Sequence, residues 1–551
     1  MFVLLRRNII KNITTRRFIT WSRHVSVSAN TNNSNNKKEK ITKLLKHFKK
    51  TKRRNDIADL THPSSITILE INDFLKEYSQ IHNLPIQLEK IKNSFELIKD
   101  FLPRQRKHDI LLDNITIRSV TSQGEGIALV PKSSYAQNYV IDPEEEIFGK
   151  YTIFLIPKTT VGDKVKIKIK MHHEYYAEGE LLEVSNSDSK VSRRNDNLIV
   201  CNHFNQCNGC QLQMLTYEDQ LNFKKSIIMK AYRYFYPEIF NQLGNDFGTV
   251  SGSPLQYSYR TKLTPHFTVS NGINTKLGFE TVNHQGKFDM KQCPIATPEI
   301  NDKLSQIRDE YLGQSRPYSQ VMLRQSIRIN QDTGEFIQVA LEGQYKVTTE
   351  KINEFLFQFD SNCFFQNNNS ILPNVLDYIT YHINLKGKPI DNIIDTYCGV
   401  GFFGIALSNS FQENTKIFGI EISNISIKYA NHNVKINYLN KDKIKFIQGD
   451  ASSMFKNEEF IKSGILGKNS VVIIDPSRKG SNESFMKQLL EFEPEIIIYV
   501  SCNVFTQARD LATFDKLQQN SNVKYKVRDI MGFDFFPQTK HVESIAIIEK
   551  V

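Results

Sequence analysis

From about residue 364 to the end of the chain, short apolar runs alternate with polar segments of helical length. The runs are rich in β-branched residues, and they read NIIDTY, KIFGIEI, IKFIQGD, SVVIIDP, EIIIYVSC and SIAIIEK. Strands that alternate with helices in this way form a mostly parallel sheet with helices on both faces. The pattern therefore predicts an α/β domain of Rossmann-like architecture over residues 361–551.

A second pattern covers residues 109–187, where apolar and polar positions alternate in short segments. The turn signals between these segments are Gly124, Gly126, Gly162 and Gly179. Short strands with frequent turn signals are typical of a small β-barrel, here of the OB-like kind. In the segment KVKIKIK, a period of two places four lysines on one face: Lys164, Lys166, Lys168 and Lys170. That face is either a solvated surface or one that binds nucleic acid.

The remaining segments are less regular. Residues 188–360 mix strand and helix patterns, which predicts a central α+β domain. Residues 41–108 begin with most of a basic run and predict a basic linker or helical segment. Residues 1–40 are basic, rich in Ser, Thr and Asn, and free of acidic residues before Glu39, which is the composition of a mitochondrial presequence. The other interpretation of that segment is a basic tail that binds RNA non-specifically.

Composition narrows the class of partner. The formal net charge is +12, which favours a polyanionic partner, most simply nucleic acid. No stretch approaches the roughly 18 apolar residues that span a membrane, so no membrane partner is expected. The seven cysteines are an odd number, which argues against a disulfide framework and favours reduced thiols that bind metal or act as nucleophiles.

The first strand of the α/β domain ends in DTYCGVGFFG, a glycine-rich turn that precedes a helix. Gly399, Gly401 and Gly404 allow a ligand to approach the backbone closely, and Glu421 ends the next strand. A carboxylate at that position can accept hydrogen bonds from both hydroxyls of a ribose. A dinucleotide and S-adenosylmethionine both satisfy this pattern. The segment DPSRKG, which sets Asp475 at the end of a neighbouring strand, favours the methyl donor.

Four of the cysteines form a separate pattern. CNHFNQCNGC has the spacing C-x5-C-x2-C, and one further cysteine follows in MKQCPIA; the four are Cys201, Cys207, Cys210 and Cys293. Four thiolates form a soft site that suits zinc or a [4Fe–4S] cluster. The alternative is that they are unrelated buried thiols.

Another cysteine stands at the end of an apolar strand, in IIIYVSCN. Cys502 is either a small thiol that packs in the core or a nucleophile at a strand end, where open α/β sheets bind ligands. For the second role the thiol must ionise near neutral pH. We expect helix N-termini and basic residues, with Arg509 near in sequence, to lower its pKa.

Over residues 109–551 the chain resembles the uracil-C5 RNA methyltransferases, and within them most closely the fungal branch that modifies tRNA. The resemblance is carried by a combination of motifs: CNGCQLQ, CPIA, FFQNN, DTYCGVG, DPSRKG, SCN with ARD, and FPQTKHVE. Residues 109–187, with GEGIA and VGDKVKIKI, are similar to the TRAM domain of that family. The resemblance implies a class I S-adenosylmethionine-dependent methyltransferase domain that methylates C5 of uridine 54 in the tRNA T-loop.

The resemblance also implies roles for individual residues. Cys502 is the expected nucleophile, which adds to C6 of the uracil, and Glu543 is the expected proton acceptor at C5. The expected S-adenosylmethionine-binding residues are Gln366, Tyr397, Glu421 and Asp475, although Asp475 could instead bond the uracil edge. The four clustered cysteines match the iron–sulfur ligands of the rRNA-modifying branch. Asn503 either orients the uracil or caps the following helix.

The expected substrate lies in a folded loop, so the enzyme must extrude the target base. QYSYRTKLTPHF offers basic and aromatic side chains for stacking on splayed bases, or else packs as an alternating strand; the residues are Tyr257, Tyr259, Arg260, Lys262 and Phe267. FDFFPQTK is a second aromatic candidate. We expect a monomer that binds tRNA, located in mitochondria, with the cytosol and nucleus left open.

The sequence leaves three other functions open. One is an rRNA uracil-C5 methyltransferase, which needs the same catalytic residues. Another is a non-catalytic RNA-binding or folding factor, for which the barrel and the basic charge suffice. A nuclease ranks last, because the sequence holds no dense constellation of carboxylates and histidines for two metal ions.

Overall fold

The computed structural model of this protein describes residues 59–83, 110–132, 151–173, 175–187, 191–282, 286–315 and 319–551. The chain divides into two compact units, Met1–Arg194 and Asn195–Val551. The hypothesised presequence, residues 1–40, lies outside the described residues. Within the ranges that are described, no helix is both long enough and apolar enough to cross a membrane.

The first unit contains the predicted β-barrel. Its strands are β1 (Leu111–Thr116), β2 (Ser119–Val120), β3 (Glu125–Pro131), β4 (Tyr151–Pro157), β5 (Asp163–His172) and β6 (Ala177–Ser187). They are ordered β1-β5-β6-β4-β3-β2 in the sheet. Because β1 and β2 are consecutive in the chain yet lie at opposite ends of this order, the sheet curls round and closes. Its interior is apolar and includes Phe154, Val165 and Ile167.

The lysine row on β5 has the predicted alternation, with half-exposed lysines and buried aliphatic residues between them. The adjacent strand β6 places acidic residues beside this row. Lys166 is the register partner of Glu183, and Lys168 is the register partner of Glu180. Opposite charges on paired strands attract each other, so the carboxylates offset part of the basic charge of this face.

Helix α1 (Pro63–His82) belongs to the same unit and lies within the segment predicted to be a basic linker or helix. Its Glu70 is buried, and the carboxylate accepts hydrogen bonds from the backbone N and Oγ of Ser122, at 2.9 and 2.6 Å. Ser122 precedes β3, so this buried carboxylate attaches the helix to a turn of the barrel.

The second unit begins with the mixed region that the sequence predicts. Its strands are β7 (Val250–Ser251), β8 (Lys262–Leu263), β9 (His266–Ser270), β10 (Ile273–Gly278), β11 (Leu323–Ile329), β12 (Phe336–Glu342), β13 (Val347–Ile352) and β14 (Phe355–Asp360). Its helices are α2 (Tyr217–Phe235), α3 (Phe240–Leu243) and α4 (Pro298–Tyr311). Strands β8 to β14 form small antiparallel sheets.

The large sheet follows. Its strands are β15 (Asn392–Thr396), β16 (Lys416–Glu421), β17 (Ile444–Gln448), β18 (Ser470–Ile474), β19 (Ile496–Ser501), β20 (Tyr525–Phe533) and β21 (Glu543–Lys550). With β7 added at one edge, the order is β17-β16-β15-β18-β19-β21-β20-β7. Strands β15 to β19 are mutually parallel, whereas β21 is antiparallel to both of its neighbours. The accompanying helices are α5 (Leu372–Leu385), α6 (Phe402–Ala406), α7 (Asn424–Ile436), α8 (Glu458–Lys462), α9 (Glu483–Phe492) and α10 (Val504–Gln518).

The predicted fold class is confirmed, and all six apolar runs are strands of the large sheet. Every residue of β18 and of β19 is buried, as expected for parallel strands covered on both faces. Strand β20 was not predicted, because its register shifts between Val527 and Asp529 and interrupts the period of two. Strand β7 joins the large sheet although it comes from the region that precedes the α/β domain in the chain.

Candidate active site

A cavity of about 1570 Å³ lies at the carboxyl ends of the parallel strands. Tyr397, Glu421, Asp475 and Cys502 line it, and they end or follow β15, β16, β18 and β19. Ligands bind at this edge of an open α/β sheet, where the strand order reverses. The cavity brings together all ten residues that the sequence singled out: Cys201, Cys207, Cys210, Cys293, Gln366, Tyr397, Glu421, Asp475, Cys502 and Glu543.

The glycine-rich turn forms one wall of the cavity. Gly399 and Gly401 have φ angles of 54° and 85°, which side chains other than glycine rarely adopt. The carboxylate of Glu421 accepts hydrogen bonds from the backbone N of Gly399 at 3.3 Å and of Ser423 at 2.8 Å. Glu421 is thereby oriented beside the turn, where its position suits the hydroxyls of a ribose.

Gln366 reaches the cavity from the loop that precedes α5. The residue before it, Phe365, is buried and stacks on Phe359 with ring centroids 4.7 Å apart. Asn368 lies two residues after Gln366, and its Nδ2 donates to the carbonyl oxygen of Phe535 at 3.1 Å. These contacts fix the loop on both sides of Gln366, so its half-buried side chain borders the cavity.

Cys502 lies between β19 and α10, half-buried at the mouth of the strand. The next residue, Asn503, caps α10: its Oδ1 accepts from the backbone N of Phe505 at 3.2 Å, and its Nδ2 donates to the carbonyl oxygen of Arg478 at 3.0 Å. Of the two roles open for Asn503, the structure therefore shows the helix cap. The cap orients the turn that carries the thiol.

The expectation that the environment lowers the pKa of Cys502 is wrong for this structure. Its pKa is raised to about 12, chiefly by burial and then by the neighbouring carboxylates of Glu543 and Asp475, while Arg478 opposes the increase. Arg509 is not the cation beside the thiol, because its guanidinium binds Asp510 at 2.8 Å and the carbonyl oxygen of Lys479 at 2.7 Å. Burial of the thiol, which depends on the packing of separate elements, has the largest effect on this outcome, and the charges of Glu543, Asp475 and Arg478 modify it.

Two carboxyl groups in the cavity are also perturbed. The pKa of Glu543 is raised to about 8, chiefly by burial and then by Asp475, while Arg478 opposes the increase. Burial raises the pKa of Asp475 to about 7. A buried carboxyl group that titrates near neutral pH is suited to accept and release protons.

Arg478 is a site residue that the sequence did not single out. It is exposed, lines the cavity, and favours the charged forms of both Cys502 and Glu543. The sequence feature that could have identified it is the motif DPSRKG, which places Arg478 three residues after Asp475, at the end of β18.

The aromatic patch predicted around residue 260 is mostly core. Tyr259 and Phe267 are buried, and Oη of Tyr259 donates to the carbonyl oxygen of Pro537 at 3.0 Å. Strand packing, the alternative interpretation, is therefore correct for these two rings. Arg260 does line the cavity, and its guanidinium lies 5.9 Å from the ring centroid of Phe536, in the second predicted aromatic segment.

The four clustered cysteines come from two segments that fold together. Their thiols are half-buried, and the pKa of Cys293 is raised to about 11 by burial and by the nearby thiols of Cys207 and Cys201. Across the described ranges, no group of three or more His, Cys, Asp or Glu side chains is arranged to hold a metal ion. The thiols thus share a cavity wall, but they do not form a ready mononuclear metal site.

Comparison with known protein families gives two matches. Residues 306–551 match the tRNA (uracil-5-)-methyltransferase family, and residues 114–182 match the TRAM domain. The first range includes strands β15 to β21 of the large sheet, and the second spans most of the barrel described above.

Individual proteins are similar over most of their length. The tRNA (uracil(54)-C(5))-methyltransferase of Schizosaccharomyces pombe is 35% identical, over 87% of this chain and 84% of its own. The enzyme of the same description from Saccharomyces cerevisiae is 32% identical, over 91% of this chain and 84% of its own. The fold is similar to that of Pyrococcus abyssi tRNA (uracil-54, C5)-methyltransferase solved with S-adenosyl-L-homocysteine, with a TM-score of 0.52, 20% identity, and coverage of 79% of this chain and 99% of that one. From the extent of these matches, the chain belongs to the tRNA (uracil-5-)-methyltransferase family.

Proposed function

We propose that this protein transfers a methyl group from S-adenosylmethionine to C5 of uridine 54 in the T-loop of tRNA. The observation that carries the proposal is the convergence of Cys502, Glu543 and the glycine-rich turn on one cavity. A thiol, a carboxyl group that titrates near neutral pH and a nucleoside-binding turn are the groups that this reaction requires. The similarity to the two fungal enzymes supports uridine 54 as the target.

The thiol of Cys502 acts first. Uracil C5 is a weak nucleophile, and addition of the Cys502 sulfur to C6 makes C5 enolate-like, which is covalent catalysis. Because burial and two carboxylates hold the thiol protonated in the free protein, its proton passes to water as the sulfur adds to C6, and the sulfur regains a proton when the C6–S bond breaks. Arg478 assists, since its positive charge stabilises the thiolate.

Glu543 acts last. After methylation C5 carries both the methyl group and a proton, and the adduct collapses only when that proton is removed and the C6–S bond breaks. The carboxylate of Glu543 accepts the proton. Its raised pKa, about 8, makes it a stronger base than an ordinary carboxylate while leaving part of it ionised near neutral pH. S-adenosylmethionine supplies the electrophilic methyl group when it is bound, and the residues available to hold it are Gln366, Tyr397, Glu421 and Asp475.

Positive residues around the cavity support an RNA substrate. Arg260, Lys262, Lys287, Arg478 and Lys540 all line it. Their charge attracts phosphates, and the exposed rings of Phe364 and Tyr345 at the same cavity offer stacking surfaces for an extruded base.

The test is covalent trapping with tRNA that carries 5-fluorouridine. Fluorine at C5 cannot leave as a proton, so the adduct persists and resists denaturation. We expect trapping by the wild type, none by Cys502→Ala, and wild-type trapping by the control Cys363→Ala, which removes another thiol that lines the cavity. Wild-type protein that traps no adduct, or Cys502→Ala protein that traps as much, would refute the mechanism. Mapping of 5-methyluridine in RNA from a deletion strain distinguishes tRNA from rRNA as the substrate.

We also propose that the four clustered cysteines bind a [4Fe–4S] cluster. Support comes from the shared cavity wall and from the electrostatic proximity of the Cys293, Cys207 and Cys201 thiols. Four thiolates suit a single zinc ion as well as an iron–sulfur cluster, so the metal content of the purified protein distinguishes the two. Anaerobically purified protein should contain iron and absorb visible light, and Cys293→Ser should lose both. Colourless wild-type protein with stoichiometric zinc would contradict the proposal.

The location and assembly of the protein are proposals that rest on the sequence. The basic, Ser- and Asn-rich residues 1–40 support mitochondrial import. A reporter fused to residues 1–40 should enter mitochondria, and its retention in the cytosol would overturn this proposal. We propose a monomer, which light scattering of the full chain tests directly.

A further inference from the structure

The loop of residues 534–540 leads directly into Glu543, and one face of α2 holds it in place. Tyr217, Gln220 and Lys224 are spaced so that they share this face. Oη of Tyr217 donates to Oδ2 of Asp534 at 3.0 Å. Nζ of Lys224 is paired with Oδ1 of the same carboxylate and donates to the carbonyl oxygen of Phe536 at 3.0 Å. The side chains of Lys224 and Asp534 are completely buried, so this attachment is shielded from water.

Gln220 and Gln538 bind each other reciprocally. Nε2 of Gln220 donates to Oε1 of Gln538, and the backbone N of Gln538 donates to Oε1 of Gln220, both at 2.9 Å. Both residues are buried. Gln538 has a φ of 71°, in the left-handed region that non-glycine residues adopt at a cost. The two hydrogen bonds offset that cost and hold the loop in its observed conformation.

The segment that carries Cys207 and Cys210 binds the same loop. The backbone N atoms of Gln211 and Leu212 both donate to the carbonyl oxygen of Gln538 at 3.0 Å. Oε1 of Gln211 also accepts from the backbone N of Lys540 at 3.2 Å. Gln538 is therefore held through its side chain, its backbone N and its carbonyl oxygen at once.

We propose that Gln220 is a positioning residue for Glu543: by holding Gln538 it sets the 534–540 loop, and hence the Glu543 carboxylate, beside Cys502. The inference rests on the proposed function, because it takes Glu543 as the proton acceptor. Gln220 does not line the cavity, so any effect on the reaction passes through the loop.

A displaced carboxylate affects one stage of the reaction more than the other. Formation of the adduct depends on Cys502, whereas its collapse depends on removal of the C5 proton by Glu543. A misplacement of about 1 Å can cost on the order of 100-fold in rate. Loss of the Gln220 hydrogen bonds therefore slows collapse more than formation, and the covalent adduct accumulates on ordinary tRNA.

The experiment uses full-length Gln220→Leu with unmodified tRNA and S-adenosylmethionine. Turnover should fall about 10- to 100-fold, while the fraction of protein in a denaturation-resistant adduct rises above the wild-type level. Affinity for S-adenosylmethionine should stay within about twofold. Gln220→Glu keeps the acceptor for the backbone N of Gln538 and should restore part of the turnover. Lys224 is not the position to test, because removal of one partner of a buried ion pair leaves an unpaired buried charge and threatens folding.

Gln518→Leu is the matched control. Gln518 is also buried, and it bridges the end of α10 to Tyr525: its Oε1 accepts from the backbone N of Tyr525 at 2.6 Å and its Nε2 donates to the carbonyl oxygen at 3.2 Å. It lies outside the cavity lining. Its loss should lower the melting temperature as much as Gln220→Leu does, without adduct accumulation.

The double variant Gln220→Leu/Glu543→Gln completes a double-mutant cycle, which tests whether Gln220 acts through Glu543. If Gln220 acts through Glu543, the double variant turns over no more slowly than Glu543→Gln alone, because the carboxylate is already lost. Additive losses would overturn the inference, as would equal adduct levels in Gln220→Leu and Gln518→Leu. Wild-type protein that neither methylates tRNA nor forms an adduct would instead refute the proposed function.

Discussion

The carboxylate of Glu543 raises the pKa of the Cys502 thiol, and after burial it is the largest influence on that group. The two proposed catalytic groups therefore oppose each other electrostatically while the site is free of RNA. When Glu543 is protonated, the thiol ionises more readily; when Glu543 is ionised, it is ready to accept a proton. The protonated state of Glu543 favours the first step, attack by the thiol, and the ionised state is needed for the last step, removal of the C5 proton.

Substitution of Glu543 should make the thiol more reactive. Glu543→Gln removes the negative charge, so the pKa of Cys502 falls and the thiolate fraction at pH 9 rises, by up to about tenfold for one pKa unit. The rate of Cys502 alkylation by iodoacetamide, followed by mass spectrometry of the peptide, measures this. At pH 6.5 the two proteins should react alike, because the pKa of about 8 leaves Glu543 protonated in the wild type as well. A slower reaction of the variant at pH 9 would contradict the coupling.

The methylation rate should rise with pH. The pKa of Glu543 is raised to about 8, so the carboxyl group is mostly protonated at pH 6.5 and mostly ionised at pH 8.5. Because only the ionised form accepts the C5 proton, and its fraction rises from about 3% to about 76% over this interval, kcat should increase about 25-fold. Measurements at constant ionic strength separate this effect from weaker RNA binding. A profile that is flat, or that falls, would rule out Glu543 as the proton acceptor.

Substitution of Arg478 should slow formation of the covalent adduct more than substitution of the neighbouring Lys479 does. Arg478→Gln removes the positive charge that favours the thiolate, so the rate of adduct formation with 5-fluorouridine tRNA should fall about tenfold, the equivalent of one pKa unit. Lys479→Gln is the control, since Lys479 is exposed, carries the same charge and does not line the cavity. Its rate should stay within about twofold of the wild type. Equal losses in the two variants would mean that Arg478 contributes only general attraction to RNA.

Gly401 should be required for the cofactor turn. In Gly401→Ala the new methyl group would lie 3.0 Å from the Phe446 ring and 3.1 Å from Ile405, at a φ of 85°. Backbone strain costs about 1 kcal/mol and overpacking typically about 1–3 kcal/mol more. We expect at least a tenfold loss of affinity for S-adenosylmethionine, measured by calorimetry, and a lower melting temperature.

Gly464→Ala is the control for Gly401→Ala. Gly464 has a φ of 67°, and an added methyl group there meets no atom within 4 Å, so only the backbone cost applies. Its affinity for S-adenosylmethionine should be unchanged. An unchanged affinity in Gly401→Ala as well would show that the turn tolerates a side chain.

Much of the fold follows from local sequence. The runs that became β15 to β19 and β21 are apolar and β-branched, which predicts buried strands; β15 to β19 are parallel as expected, whereas β21 is antiparallel to both of its neighbours. Once the parallel strands are placed, their carboxyl ends must meet at one edge, which is why Tyr397, Glu421, Asp475 and Cys502 share a cavity as the sequence predicted. Strand β20 was not predicted, because a register shift interrupts its alternation of inward- and outward-facing residues.

The sequence by itself determined the α/β sheet, the barrel and the motif residues, because each depends on neighbours a few positions apart. Only the tertiary structure decided that Arg478 rather than Arg509 faces Cys502, that Tyr259 and Phe267 are core, and that α2 holds the loop before Glu543. Gln220 and Gln538 are 318 residues apart in the chain, and no local period relates them. Hydrogen bonds and pKa values depend on distances in space, which are established only when remote segments pack together.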